Sequence, residues 1–264
     1  MSLFTQVSMA LQSLSSHPLH EAARHSRFFI LHSLIDKYQN KLESHQAKLT
    51  PLCVATVNQH YDCMLLLLEA GANPSPRVDE DLRRTPLHIA VAQGWKSAMR
   101  LLILYGADLS LTDAINVTPL TLANGKALDR QLIEETSALY NDIKQYQAQA
   151  NQSLEQHQPE KAASYLFKVA KCWVGVASHE AQFFMRSFYF CKALWFAKQA
   201  YELKPRVEFK IIIENLTYQI SRTKPYDYRK LEVFFDESFL EDLQTNGLQL
   251  TEKTQSHPSS FSLS

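Results

Sequence analysis

Thr85-Pro86-Leu87-His88-Ile89-Ala90, closed by Gly94 and followed by Leu101-Leu102-Ile103-Leu104-Tyr105-Gly106-Ala107-Asp108, is the stretch whose reading decides the fold. The phrase returns. Thr50-Pro51-Leu52-Cys53-Val54-Ala55 stands 35 residues upstream and leads to Leu66-Leu67-Leu68-Glu69-Ala70-Gly71-Ala72-Asn73. Thr118-Pro119-Leu120-Thr121-Leu122-Ala123 stands 33 residues downstream. A degraded copy, His17-Pro18-Leu19-His20-Glu21-Ala22-Ala23, precedes the second by another 33 residues. A fixed period of about 33 residues marks one supersecondary unit used several times over.

Each word of the phrase has a physical task. A threonine hydroxyl at a helix start accepts a backbone N–H, and proline fits the first turn, where its missing N–H costs nothing. Leu87 and Ala90 fall about one turn apart on one face and point inward. Gly94 ends this short helix where a left-handed residue is needed. Ala98, Leu101 and Leu102 then form the apolar stripe of a second helix, and Gly106 turns the chain into a projecting loop. Two helices and a turn cannot bury their own apolar face, so the units must stack.

This pattern resembles the ankyrin repeat, over residues 13–137. The second and third copies match almost throughout. The first has Ser26 where Gly is usual and Tyr38-Gln39-Asn40 in place of Gly-Ala-Asp; the fourth loses the second half of the phrase. Atypical end repeats suit capping, with residues 1–12 as an N-terminal capping segment. The resemblance implies that His20 and His88 are structural, each tying its repeat to the next through backbone hydrogen bonds. Cys53 and Thr121 hold the same place in the other copies, so no ring of histidines assembles. His20-Glu21 with His25 is one residue too long for a zinc-binding H-E-x-x-H helix.

The resemblance also implies where a partner protein docks: on the first-helix face that lines the concave side and on the projecting loops. On the helix face these positions are Glu21, Arg24, Val54, Asn58, Ile89 and Gln93. In the loops they are Arg77, Asp79, Glu80, Arg83, Thr112, Asp113 and Asn116. Trp95, where a small residue or His is usual, is either an exposed anchor for the partner or a residue packed on Tyr61.

Composition narrows the alternatives. Lys plus Arg and Asp plus Glu are 27 each, and neither half of the chain carries a basic excess, which argues against nucleic acid as partner. Cys53, Cys63, Cys172 and Cys191 show no paired spacing and sit in apolar helical patterns, as buried thiols of a reducing compartment do. Met1–Ser16 lacks the basic start of a signal peptide, and the aromatic stretch Phe183–Phe196 is too short and too charged to span a bilayer. The expectation is a soluble cytoplasmic monomer. The glycines are scattered, so no phosphate-cradling loop is present, and no nucleophile motif occurs.

The second half, 138–244, reads as long helices. Leu154, Ala163, Phe167 and Ala170 parallel Phe184, Ala193, Ala197 and Ala200, with Pro205 five residues on. This resembles the tetratricopeptide repeat, although the 30-residue recurrence is shorter than that family's usual period. The aromatics Phe183, Phe184, Phe188, Tyr189, Phe190, Trp195 and Phe196 read first as core, and second as a groove for a partner's peptide. Val207–Ile220 is a further helix, Tyr228–Leu243 an acidic amphipathic one, and 245–264 a disordered tail.

The sequence therefore predicts an all-α chain: an ankyrin-repeat solenoid followed by an α-helical, tetratricopeptide-like domain. It predicts a protein–protein interaction adaptor with no catalytic residue, no cofactor and no metal. Two alternatives stand beside it. One is a bacterial type IV secreted effector that enters a host cell and binds a host protein, with its secretion signal in Thr251–Ser264. The other is an enzyme with its site in the helical half.

Overall fold

The computed structural model describes residues 17–46, 49–77, 82–222, 229–235, 239–241 and 243. They are helical throughout, with no strand among the described residues beyond an isolated bridge between Gln46 and Leu49. The chain divides into two compact units, Met1–Tyr140 and Asn141–Ser264.

The first unit is built from the repeated phrase. Helices α1 (Pro18–Arg24), α3 (Pro51–Val57), α5 (Pro86–Gln93) and α7 (Pro119–Leu122) each begin at its proline. Three of them are paired with a second helix: α2 (Phe28–Lys37), α4 (Tyr61–Glu69) and α6 (Lys96–Leu104). The expected caps form. The hydroxyls of Thr50, Thr85 and Thr118 accept the N–H of Cys53, His88 and Thr121. First helices pack on first helices in sequence order, α1 on α3, α3 on α5 and α5 on α7. Their inward faces are dry: Leu52, Leu65, Leu67, Leu87, Leu101 and Leu102 are buried.

Gly94 takes the left-handed conformation its position requires, at φ 67°. Ser26 and Gln59 hold the equivalent places in the first two repeats and adopt the same conformation, at φ 53° and 58°. The backbone is thus repeated even where the glycine is not. The fourth repeat ends in a 3₁₀ turn, Ala123–Gly125, and its second helix becomes the start of α8 (Ala127–Glu155). Ile133 and Thr136 on α8 are buried, and Tyr140 comes down on Gly106: a Cβ there would meet its hydroxyl at 2.6 Å.

The second unit holds the rest of α8 with α9 (Pro159–Ser178), α10 (Phe183–Leu203) and α11 (Val207–Ser221). α9 packs along α10, and α10 along α11. Small residues permit the close approach: Ala163 and Ala170 on α9, and Ala193, Ala197 and Ala200 on α10, are fully buried. Ala150, Leu166, Phe167 and Phe209 complete that core, with the two phenylalanine rings 4.2 Å apart.

Two expectations need correction. Phe184, Ala193, Ala197 and Ala200 lie on the single unbroken helix α10, whereas Leu154 and Ala163 lie on two different helices. The recurrence therefore reflects small residues at helical spacing, and no second tetratricopeptide hairpin begins at Phe184. The acidic helix expected over Tyr228–Leu243 is not continuous, because the chain leaves helix after Leu231 and turns through 232–234. The tail 245–264 lies outside the described residues.

Candidate partner-binding surface

The loops that project from the first unit are tied to one another from repeat to repeat. In the second repeat Asn73 Oδ1 accepts the N–H of Ser75, and in the third Asp108 Oδ1 accepts that of Ser110, the same turn one repeat later. Ser75 Oγ in turn accepts the N–H of Asp108 at 2.8 Å, and Glu43 accepts that of Asn73 at 2.7 Å. Arg77 reaches across as well, its Nη1 donating to the carbonyls of Arg83 (2.7 Å) and Thr112 (2.6 Å). Ala114 N–H donates to Leu82 O, which brings the tips of the two loops together.

Inside the second of these loops Asp113 acts as a staple. It is buried, and its Oδ1 accepts the N–H groups of Val117 (2.9 Å) and Ile115 (3.0 Å). The Val117 N–H, the desolvation it offsets and the Ile115 N–H together hold its carboxyl below the usual range. Arg83 and Asn116 occupy equivalent positions two residues before the threonines, both exposed and both left-handed, at φ 49° and 59°.

The histidines behave as the resemblance implied. His20 Nε2 donates to Leu49 O at 2.9 Å, and His88 Nε2 to Val117 O at 3.0 Å. Burial lowers the pKa of both. Cys53, in the same place, is bonded within its own repeat by the Thr50 hydroxyl, and burial pushes its thiol up to about 11. Burial raises Cys172 and Cys191 too, so none of the three is a thiolate nucleophile near neutral pH.

The predicted surface residues divide by what their side chains do. Arg24, Asn58, Arg83, Gln93 and Asn116 are exposed. Glu21 is half-buried and pairs with Arg24 at 3.7 Å and His25 at 3.4 Å. Asn58 bonds Val54 O, and Gln93 accepts from Gln59. Ile89, Thr112 and Arg77 are half-buried. Val54, 2% exposed, belongs to the core, and Asp113 spends its carboxylate inside its own loop, so neither presents a side chain. Trp95 packs edge-on against Tyr61, ring centroids 5.8 Å apart, which decides between its two readings. Asp79 and Glu80 lie outside the described residues.

Two residues that sequence reasoning missed stand out. Leu82 and Ile115, at the joined loop tips, are 48% and 75% exposed. The signal was present: both lie in loops just upstream of a Thr-Pro-Leu phrase, where the periodicity offers no inward position. Beside them are the exposed side chains of Arg83 and Asn116. In the second unit Phe184, Phe188 and Tyr189 are buried, so the core reading holds for them, while Phe183 and Trp195 are exposed. No helix among the described residues is long and apolar enough to cross a membrane.

A family model for the ankyrin repeat matches residues 48–78 and 83–114, and those residues are ankyrin repeats. The chain is similar to ankyrin repeat and SOCS box protein 11 of Mus musculus, 36% identical over 124 residues. That match covers 47% of this chain and 37% of the relative. It is also similar to ankyrin repeat and SOCS box protein 5 of Oryctolagus cuniculus, 37% identical over 128 residues, or 48% of this chain and 38% of the relative. A shorter match, 42% over 59 residues, is to the ARF GTPase-activating protein Git of Drosophila melanogaster, covering 22% of this chain and 8% of that protein. The matches to the two SOCS box proteins thus span under two-fifths of those relatives' length.

Proposed function

We propose that this ankyrin-repeat chain is a protein–protein interaction adaptor, and that its partner docks on the loop tips rather than deep in the concave face. The observation that carries the reading is the paired exposure of Leu82 and Ile115 on loops locked together by backbone bonds. Apolar side chains on a rigid support lose little entropy on binding and can serve as the anchors of an interface. Arg83 and Asn116 supply a polar rim. A standard interface of about 800 Å² per partner would extend from these tips toward Arg24, Asn58 and Gln93.

The test is affinity capture with the full-length chain, wild type against Leu82→Ser/Ile115→Ser, with quantitative mass spectrometry. Partners retained by wild type should fall at least tenfold with the double variant, while circular dichroism and melting temperature stay unchanged. Equal recovery would remove the loop tips from the interface. The secretion reading rests on Thr251–Ser264, outside the described residues, and nothing described in the helical half favours a reaction.

A further inference from the structure

The buried histidine of the Thr-Pro-Leu-His phrase occurs twice, and its surroundings differ in one atom set. In the third repeat both ring nitrogens of His88 are used: Nε2 donates to Val117 O, while Nδ1 accepts the Thr85 N–H at 3.2 Å and lies 2.8 Å from Thr85 Oγ1. In the first repeat the threonine is replaced by His17. His20 still donates from Nε2 to Leu49 O, but His17 makes no side-chain cap and its backbone has left the extended conformation, with ψ 68° against 166° at Thr85. His20 is 0% exposed, and its Nδ1 has no hydrogen-bond partner. A cavity of about 160 Å³ adjoins it, lined by His17, Pro18, Leu19, His20, Lys41 and Ser44.

An orphaned buried acceptor costs about 1–3 kcal/mol, so it calls for an occupant. Because Nε2–H is committed to a carbonyl, Nδ1 carries the lone pair. That lone pair is the ligand atom metals take from neutral imidazole. The His17 ring lies across from it, centroids 5.4 Å apart and planes at 87°. Two imidazoles bound to one tetrahedral ion at N–metal distances of about 2.1 Å place their ring centres about 5 Å apart. The Leu49 carbonyl fixes the ring from its far side, as a backbone carbonyl does behind many metal-bound histidines. No carboxylate lines the cavity, which disfavours calcium and magnesium, and the Lys41 ammonium beside it favours only ions that bind imidazole strongly.

We infer that His17 and His20 form a two-imidazole site for a divalent transition metal of the zinc, nickel or copper class, with solvent completing its coordination. The replacement of the capping threonine by His17 creates the site twice over, by adding one ligand and by freeing the second. Repair of the phrase supplies the test. In His17→Thr the new side chain removes one ligand and its hydroxyl occupies the other, and the variant folds better without metal.

Imidazole ring signals of the full chain are followed by NMR through titration with zinc chloride, then nickel chloride. In the wild type the His17 and His20 signals should move together and saturate at one equivalent. In His17→Thr the His20 signal should stay still at that concentration, with a higher metal-free melting temperature. His25→Ala, on the neighbouring exposed surface, should behave as wild type. A wild-type His20 signal unmoved by excess of either metal would overturn the site, as would equal affinity in His17→Thr.

Discussion

At the residue scale, the repeat phrase marks which positions are under strain and which are relaxed. The left-handed turn after each first helix is free of cost at Gly94 and costs roughly 1 kcal/mol at Ser26 and Gln59, whose Cβ atoms crowd the backbone. Ser26→Gly and Gln59→Gly should therefore each raise the free energy of unfolding by up to about 1 kcal/mol in urea titration, and Gly94→Ala should lower it by a similar amount. The buried histidines make stability depend on pH. Burial lowers the folded-state pKa of His20 and His88 below the unfolded value near 6.5, so the unfolded chain binds more protons in that range. Their contribution is full above about pH 6.5 and is lost as pH falls below it. Urea midpoints should drop between pH 7.5 and 5.5, by up to about 1.4 kcal/mol per pH unit for each histidine. A chain with His88→Gln should show a shallower drop. These positions were legible in the sequence because they belong to the phrase. The emptiness around His20 was not, because it shows only when the cap at His17 and the backbone it sets are seen in three dimensions.

At the element scale, α8 is the feature the sequence least prepared for. The repeat grammar ends near Leu132, and the Gln-rich stretch after it begins a helix of its own on periodicity alone. In the structure one helix runs from Ala127 to Glu155, because neither Gly nor Pro interrupts it and Ile133, Thr136 and Ile143 keep one face buried. Its first turns serve as the second helix of the fourth repeat. Lys126, just ahead of it, donates to the carbonyls of Val91 and Ala92 at 3.3 and 3.5 Å, a cation at the C-terminal end of α5. Gly106 is the point where α8 comes closest to the third repeat. Its φ of 86° and the Tyr140 hydroxyl over its Cα leave no place for a side chain. Gly106→Ala should cost more than the ~1 kcal/mol of left-handed strain alone. Gly71→Ala, equally left-handed at φ 92° but with nothing near its Cβ, should cost only that strain. Comparing the two by thermal unfolding separates packing from backbone. The second unit shows the opposite limit of sequence reading. Its helices were legible, but its hairpin boundaries were not, because Ala at three- and four-residue spacing marks close helix packing without saying which helix it faces.

At the scale of the whole molecule, stability in the stacked unit is approximately a sum over neighbouring repeats, so the cost of a core substitution depends on how many neighbours the residue's helix meets. α1 packs on α3 alone among the first helices, whereas α5 packs on both α3 and α7. Leu19 and Leu87 hold the same word of the phrase in those two helices, and they are 1% and 0% exposed. Truncation to alanine removes the same atoms and leaves a similar cavity, for an intrinsic cost of about 2–5 kcal/mol. Only the consequence differs. In Leu19→Ala the loss is confined to one interface at the end of the stack, so the first repeat should fray while the rest stays closed. In Leu87→Ala two interfaces weaken at once, in the repeat that supports the loop tips carrying Leu82 and Ile115. Hydrogen exchange should then show α1 and α2 opening alone in Leu19→Ala. In Leu87→Ala protection should fall together across α3–α6, and partner capture with it. Equal exchange profiles for the two variants would mean that the unit unfolds as a single block rather than repeat by repeat.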